Sequence, residues 1–378
     1  MKRNLCSICN SSLKNIYLLD KHPIKLCCTD SPIKDFSTLS LSQCVACNTI
    51  QLDELIPLEI LYSDSHNYSS YGKIWENYFK IFINKLNPII QDKNILEIGC
   101  PSGKIVSNVN NYNKWIIVEP NKNKNKVFKE DIIFIEKFFD SEFNINLDID
   151  IIIHSHLFEH IYYPNEFLKK CYDLLKPDGI MMFGVPNMNY FTENYVAPFL
   201  GIFFEHTIFL NKDNICYLLK KNSFELIEII DYENHSTIYY CKKIQQIQQI
   251  QQIPQIQQIP QIQNYYVSFI NSVNFYKSFI EKCNAIINNT EKNVYIFGAS
   301  YNTQYLLSLG INSNKIKGIL DNSIEKQNKY FYGYDICIYS PEILKNDKDC
   351  IIIVKNGCYT NEIIEQILNI NKNINILF

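Results

Sequence analysis

Two C-x2-C pairs stand near the start of the chain, Cys6-Ser7-Ile8-Cys9 and Cys44-Val45-Ala46-Cys47. Each pair presents two thiolates to one tetrahedral ion, and together they complete a four-sulfur shell with no open position. That donor set predicts a structural Zn2+ on Cys6, Cys9, Cys44 and Cys47, which would stabilise a module with little core of its own. The adjacent Cys27 and Cys28 are poorly placed to share one ion, and the other cysteines, scattered singly, read as small core residues.

The second chemical pattern is Glu97-Ile98-Gly99-Cys100-Pro101-Ser102-Gly103, which follows an apolar run. Glycine is scarce here, 11 in 378 residues, well under the usual share of about 7%. Two of them four positions apart let the backbone turn sharply and bring its N–H groups close to a ligand. Glu119, at the end of WIIVEP, is an acid placed to accept both hydroxyls of a ribose. Such a pair fits a dinucleotide or an adenosyl ligand; the missing third glycine favours the adenosyl one. His154, His156 and His160 are close in sequence, but they divide between a strand end and a helix start, and no further Cys or His flanks them, so no metal is expected there.

These residues need elements to position them. The segments NILEI, a polar helix over 101–112, KWIIV, DIDIIIHS, PNEFLKKCYDLLK, a PDG turn and IMMFGVP alternate strand and helix, the pattern of a doubly wound α/β sheet. The alternation returns in SFIEKCNAIINN, NVYIFGAS, NTQYLLSLG, IKGILD and CIIIVK, a second and smaller α/β unit. Between the two lies Gln245–Gln263, a three-residue Ile/Gln repeat broken by Pro254 and Pro260, which reads as a linker. The first 50 residues show no comparable buried strand.

Composition narrows the class. Hydrophobic residues make up 47% and charged ones 20%, which suits folded domains. A net charge of −3 without a long basic run argues against a nucleic-acid partner. No run reaches the roughly 18 apolar residues of a membrane span, and MKRNLCSICN has no apolar secretion region, so a cytoplasmic protein is expected, with thiols kept reduced.

On Glu97, Gly99, Gly103 and Glu119 the chain resembles a class I S-adenosylmethionine-dependent methyltransferase. The segment His154-Ser155-His156-Leu157-Phe158-Glu159-His160 resembles that family's turn after the fourth strand, and LLKPDGIMMFGVPN its following strand. The resemblance implies a cofactor site on Glu97, Gly99, Gly103, Glu119, Ser155 and His156. Taken with the cysteine pairs, Thr49-Ile50-Gln51-Leu52, Phe204-Glu205-His206 and the C-terminal unit, with its Gly298, Asp321, Pro341 and Asn361-Glu362, the whole chain resembles the sugar C-methyltransferases acting on nucleotide-linked deoxysugars. It implies an α/β protein divided as a zinc-binding domain (1–61), a Rossmann-like methyltransferase domain (62–243), the linker (244–264) and a C-terminal Rossmann-like domain (265–378).

A carbon acceptor beside a carbonyl must lose a proton before it takes a methyl group, which calls for a base. His206, with Glu205 beside it, matches the position from which the sugar family draws that base, and Tyr68 lies where the family carries active-site tyrosines. Two departures bear on the acceptor. Asn187 stands where the family tends to carry histidine, and Phe203 where a tyrosine is expected. The reading is a methyltransferase for a carbon of a nucleotide-linked keto-deoxysugar. The alternatives are an O- or N-methyltransferase for another small molecule and a non-catalytic protein that binds S-adenosylmethionine or a sugar.

Overall fold

The computed structural model describes residues 1–63, 72–100, 103–121, 131–195, 197–232, 235–245 and 263–378. Tyr68, Pro101, Ser102 and nearly all of the Ile/Gln repeat fall outside them.

The central sheet has seven strands: β5 (Asn94–Ile98), β6 (Lys114–Val118), β7 (Ile132–Ile135), β8 (Ile149–Ser155), β9 (Leu175–Pro186), β10 (Phe224–Tyr232) and β11 (Ser236–Lys243). Their spatial order is β10-β11-β9-β8-β5-β6-β7. The five strands from β5 to β9 run parallel, and β11 lies antiparallel to both β9 and β10. β5 is buried along its whole length, Asn94 and Glu97 included, as a strand covered on both faces must be. Helix Lys73–Leu86 covers one face through Tyr78, Phe79, Phe82 and Leu86, which pack with Ile95, Trp115 and Ile151. The chain order reverses between β5 and β8, so a crevice opens at the carboxyl ends of these strands.

Two local expectations are corrected. The polar helix after the glycine loop is a single 3-10 turn, Val106–Asn108. β-branched Ile105, Val106 and Val109 and the asparagines around them disfavour a helix, and the Ser107 and Asn108 side chains bond back to the Gly103 and Lys104 carbonyls. The PDG turn does not precede a strand but sits within β9: Ile149 pairs with Leu175 and Ile151 with Ile180, and the residues between bulge out around Asp178, at φ 62°.

The N-terminal region is also more ordered than its sequence suggests. Strands β1 (Leu13–Pro23), β3 (Phe36–Cys44) and β4 (Ile50–Leu52) form an antiparallel sheet, with Leu39 and Leu41 fully buried. Its apolar residues are interleaved with buried Ser40 and Ser42, so no apolar run announces it. The short strand β2 (Cys28–Thr29) pairs with β14 (Tyr330–Phe331), which fixes this region to the C-terminal one and accounts for Cys28 as a packing residue.

The C-terminal unit is a five-stranded parallel sheet of β12 (Asn293–Phe297), β13 (Ile316–Leu320), β15 (Ile338–Tyr339), β16 (Cys350–Val354) and β17 (Asn375–Leu377), in the order β15-β13-β12-β16-β17. The helix expected over 278–289 runs from Tyr266 to Ile287. No helix of the described residues is long and apolar enough to cross a membrane.

Candidate active site and four-cysteine cluster

The four cysteines converge. Cys6 Sγ lies 3.6 Å from Cys47 Sγ and Cys9 Sγ 3.5 Å from Cys44 Sγ. A tetrahedron with Zn–S bonds near 2.3 Å has sulfurs about 3.8 Å apart, so the cluster fits Zn2+ with little adjustment. Both pairs are followed by an asparagine in the left-handed region, Asn10 at φ 63° and Asn48 at φ 58°. Each asparagine N–H returns to the carbonyl of the first cysteine of its pair, at 2.9 and 3.1 Å. Asparagine tolerates this conformation, so C-x-x-C-N is the local code for both knuckles. The Ala46 and Cys47 N–H groups point at Cys44 Sγ, as suits a thiolate.

The crevice at the carboxyl ends of β5, β6 and β8 holds a cavity of about 280 Å³ whose wall includes Gly99, Glu119, Asp140, His156, His160 and Tyr62. Gly99 is at φ +75°, and a Cβ there would lie 2.8 Å from Leu157 Cδ1, so the close approach that demands glycine is to the turn after β8. Glu119 ends β6 with its carboxylate nearly buried; Oε1 accepts the Asn121 N–H at 2.8 Å. Burial raises its pKa to about 7, against the opposing pull of that N–H.

The other residues of the expected cofactor site lie elsewhere. Glu97 Oε2 accepts the Trp115 Nε1–H at 2.7 Å, beneath the sheet and away from the cavity wall. Ser155 Oγ pairs with Tyr78 OH at 2.8 Å, and Gly184 makes room for that phenol, since a Cβ there would lie 1.9 Å from it. Gly103, at φ 56°, begins the turn into Val106–Asn108. Asp140 was not singled out from the sequence. Its Oδ1 caps the Glu142 and Phe143 N–H groups, which holds the carboxylate at the cavity edge. The signal was an Asx turn just after Phe138-Phe139, legible only once β7 is placed.

Glu205 and His206 sit on a strained loop. Phe199, Leu200 and Gly201 all have left-handed backbone, at φ 51°, 56° and 74°. Two consecutive large residues in that region persist only where the surroundings dictate it. Here the flanking segments do so from both sides. Tyr305 stacks on Phe199 and donates its O–H to the Ile202 carbonyl, while Tyr301 stacks on Phe203. From the other side, the Leu52 N–H donates to the Thr207 carbonyl and the Phe209 N–H to the Ile50 carbonyl, at 2.8 and 2.9 Å. Thr49-Ile50-Gln51-Leu52 is thus the strip by which the cysteine-bearing sheet grips this loop.

His206 Nε2 faces His160 Nε2 at 3.2 Å, and His160 Nδ1 meets Tyr62 OH at 3.0 Å. His206 also bonds the Gly201 backbone, and burial pushes its pKa down to about 3. His206 is therefore neutral at pH 7. In the C-terminal unit Asp321, at the end of β13, is engaged by the Ala299 and Ser323 N–H groups at 2.8 Å each and by Lys326.

Comparison with known proteins agrees with this architecture. Residues 74–229 match the family model of a methyltransferase domain, and residues 234–375 that of a C-methyltransferase C-terminal domain. The second match begins at the threshold of β11, upstream of the Ile/Gln repeat. No curated protein matches the chain significantly. Among solved structures, an S-adenosylmethionine-dependent methyltransferase from Listeria monocytogenes is 13% identical, covering 45% of this chain and 100% of its own, with a TM-score of 0.38. The N-methyltransferase NodS from Bradyrhizobium japonicum is 12% identical, covering 45% and 97%, with a TM-score of 0.35. An S-adenosylmethionine-dependent methyltransferase from Clostridium acetobutylicum is 13% identical, covering 50% and 96%, also at 0.35. With both family models matched along the chain, the protein carries a methyltransferase domain of class I fold followed by a C-methyltransferase C-terminal domain.

Proposed function

We propose that the protein is a cytoplasmic, zinc-stapled enzyme that transfers a methyl group from S-adenosylmethionine to a carbon of a nucleotide-linked keto-deoxysugar, in a chain divided at 1–61, 62–243, 244–264 and 265–378. The observation that carries this reading is one cavity wall that holds Gly99 and Glu119 together with His160, whose next neighbour is His206. Bound there, S-adenosylmethionine supplies an electrophilic methyl on a sulfonium. Of the residues lining that cavity, Glu119 would accept the ribose hydroxyls, Asp140 would take the exocyclic amine of the adenine, and Phe138 and Phe139 would exclude water from the ring.

His206 is the base. Neutral at pH 7, it can accept the proton from the acceptor carbon, although burial makes it a weaker base than a free imidazole. The charge it gains would be costly if confined to one buried ring, and the His160 imidazole shares it. Glu159, fully buried, has a carboxylate oxygen within 4.8 Å of both histidine nitrogens and offsets the charge. Zn2+ on Cys6, Cys9, Cys44 and Cys47 would keep β4 in place against Thr207, and so keep His206 against His160 of the cavity wall.

One observation favours the alternative of O- or N-methylation. His206 Nε2 is engaged with His160, and the ring also bonds the Gly201 backbone. An acceptor that alignment alone activates would need no base. Solvent deuterium exchange at the acceptor carbon, followed without methyl donor over a panel of nucleotide-linked keto-sugars, separates the two. Exchange by the wild type and its loss in His206→Asn supports the carbon reading; methyl transfer by both proteins without exchange in either refutes it.

A further inference from the structure

A continuous chain of polar side chains leads from the cofactor cavity into the C-terminal domain. His156 lines the cavity with its backbone at φ 51°. Its Nδ1 faces Glu159 Oε1 at 3.3 Å and its Nε2 lies 2.8 Å from Ser236 Oγ. Ser236 Oγ is in turn 2.6 Å from His235 Nδ1, and His235 Nε2 is 3.0 Å from Tyr359 OH. Ser236 and Glu159 are fully buried and His235 nearly so, so water does not substitute for these partners. The Trp75 ring lies 4.6 Å from that of His156 and 4.5 Å from that of His235, which holds both in place.

The proton inventory of the chain is decided at one end. Ser236 has a single hydroxyl proton and two imidazoles that want it. The Trp75 side chain hydrogen-bonds to Tyr359, and an indole N–H can only donate, so the Tyr359 oxygen accepts from it and keeps its own proton to give. The neighbouring Cys358 sulfur is a weak acceptor, and the His235 Nε2 lone pair is a strong one. With Tyr359 donating to Nε2, the neutral His235 carries its proton on Nδ1 and donates to Ser236 Oγ. The Ser236 proton then goes to His156 Nε2, and His156 carries its own proton on Nδ1, facing the Glu159 carboxylate. The three hydrogen bonds then run in one sense, and the last proton faces the buried Glu159 carboxylate at 3.3 Å.

We propose that Tyr359 is a positioning residue for the cofactor cavity: through His235 and Ser236, its hydroxyl fixes which ring nitrogen of His156 bears the proton, and so how that ring is held in the cavity wall. The C-terminal domain thereby acts on a methyl-donor site that it does not itself form. The effect on ligand affinity rests on the reading of this cavity as the S-adenosylmethionine site; the tautomer does not.

The test is Tyr359→Phe in the full chain, which removes one oxygen and keeps the ring. Nitrogen-15 NMR of histidine-labelled protein reports the tautomer of His156 without ligand, and calorimetry with S-adenosylhomocysteine reports the cavity. We expect the His156 proton on Nδ1 in the wild type, a mixture of tautomers in Tyr359→Phe, and affinity lower by roughly fivefold or more, with the unfolding midpoint little changed. Ser236→Ala should uncouple the two ends, so that adding Tyr359→Phe to it changes neither readout further; this also serves if Tyr359→Phe folds poorly. A wild-type His156 protonated on Nε2, or a tautomer indifferent to Tyr359→Phe, overturns the proposal. A shifted tautomer with unchanged affinity overturns its claim on the cavity. Wild-type protein that does not bind S-adenosylhomocysteine at all refutes the cofactor reading instead.

Discussion

His206 and His160 present their Nε2 atoms to each other at 3.2 Å, from a strained loop and from the turn after β8 respectively. If that pair is the base, each ring should matter. His206→Asn is expected to lower carbon methylation by roughly 10² to 10⁴ while leaving affinity for S-adenosylhomocysteine within about twofold. His160→Asn should cost less in turnover and more in affinity, because His160 also lines the cavity. Steady-state kinetics with calorimetry on both variants checks this; equal and small losses would remove the pair from the chemistry.

Glu119 should make cofactor binding depend on pH. Its pKa, raised from 4.5 to about 7 by burial, leaves it partly protonated at neutral pH, and only the carboxylate accepts two ribose hydroxyls. Affinity for S-adenosylhomocysteine is expected to rise between pH 6 and 8. Stability runs the other way. The native state holds a proton that the unfolded chain releases near 4.5, so this contribution is full below that value and is lost as pH rises through 7. Glu119→Gln should therefore be more stable than the wild type at pH 8, by on the order of 2 kcal/mol, and should bind the ligand more weakly. Denaturant titrations at pH 5 and 8 measure the difference.

The cysteine cluster and the active-site loop should fail together. Cys44→Ala/Cys47→Ala is expected to take zinc from one equivalent per chain to none and to lower stability by several kcal/mol. Because β4 bonds the Thr207 and Phe209 backbone, turnover should fall further than affinity for S-adenosylhomocysteine. Elemental analysis beside both assays checks this; full zinc content in the variant would refute the assignment.

Gly99 carries two separable demands, a left-handed backbone and a space limit against Leu157. Gly99→Val should abolish binding of S-adenosylhomocysteine. Gly99→Ala should weaken it, and adding Leu157→Ala should restore part of the loss, since the contact is relieved but the backbone cost of about 1–2 kcal/mol remains.

Much of this was legible in the residues. The C-x-x-C pairs, the glycine at 99 and the acid at 119 are short-range signals; the four cysteines converge beside the N-terminal sheet, and Gly99 and Glu119 meet at the strand ends that the α/β alternation implies. What was hidden depends on long-range partners. Nothing in Phe199-Leu200-Gly201 announces a left-handed run, because Tyr305 and the β4 strip, both far along the chain, impose it. The buried β3 strand was missed because its serines are satisfied by tertiary contacts such as that of Ser42 with Asp53. The sequence assigns His160 no role in the site, yet it stands in the cavity wall, and no local pattern says that His206 will face it.

The most direct measurement is the connectivity of the transferred methyl. The full-length protein, loaded with zinc, is incubated with S-adenosylmethionine carrying a 13C-labelled methyl and a panel of nucleotide-linked keto-deoxysugars, and the product is examined by carbon NMR. We expect the label bonded to a ring carbon next to the former carbonyl, formed by the wild type and not by His206→Asn. A label on oxygen or nitrogen, formed equally well by both proteins, would contradict carbon transfer and leave O- or N-methylation as the chemistry of this site.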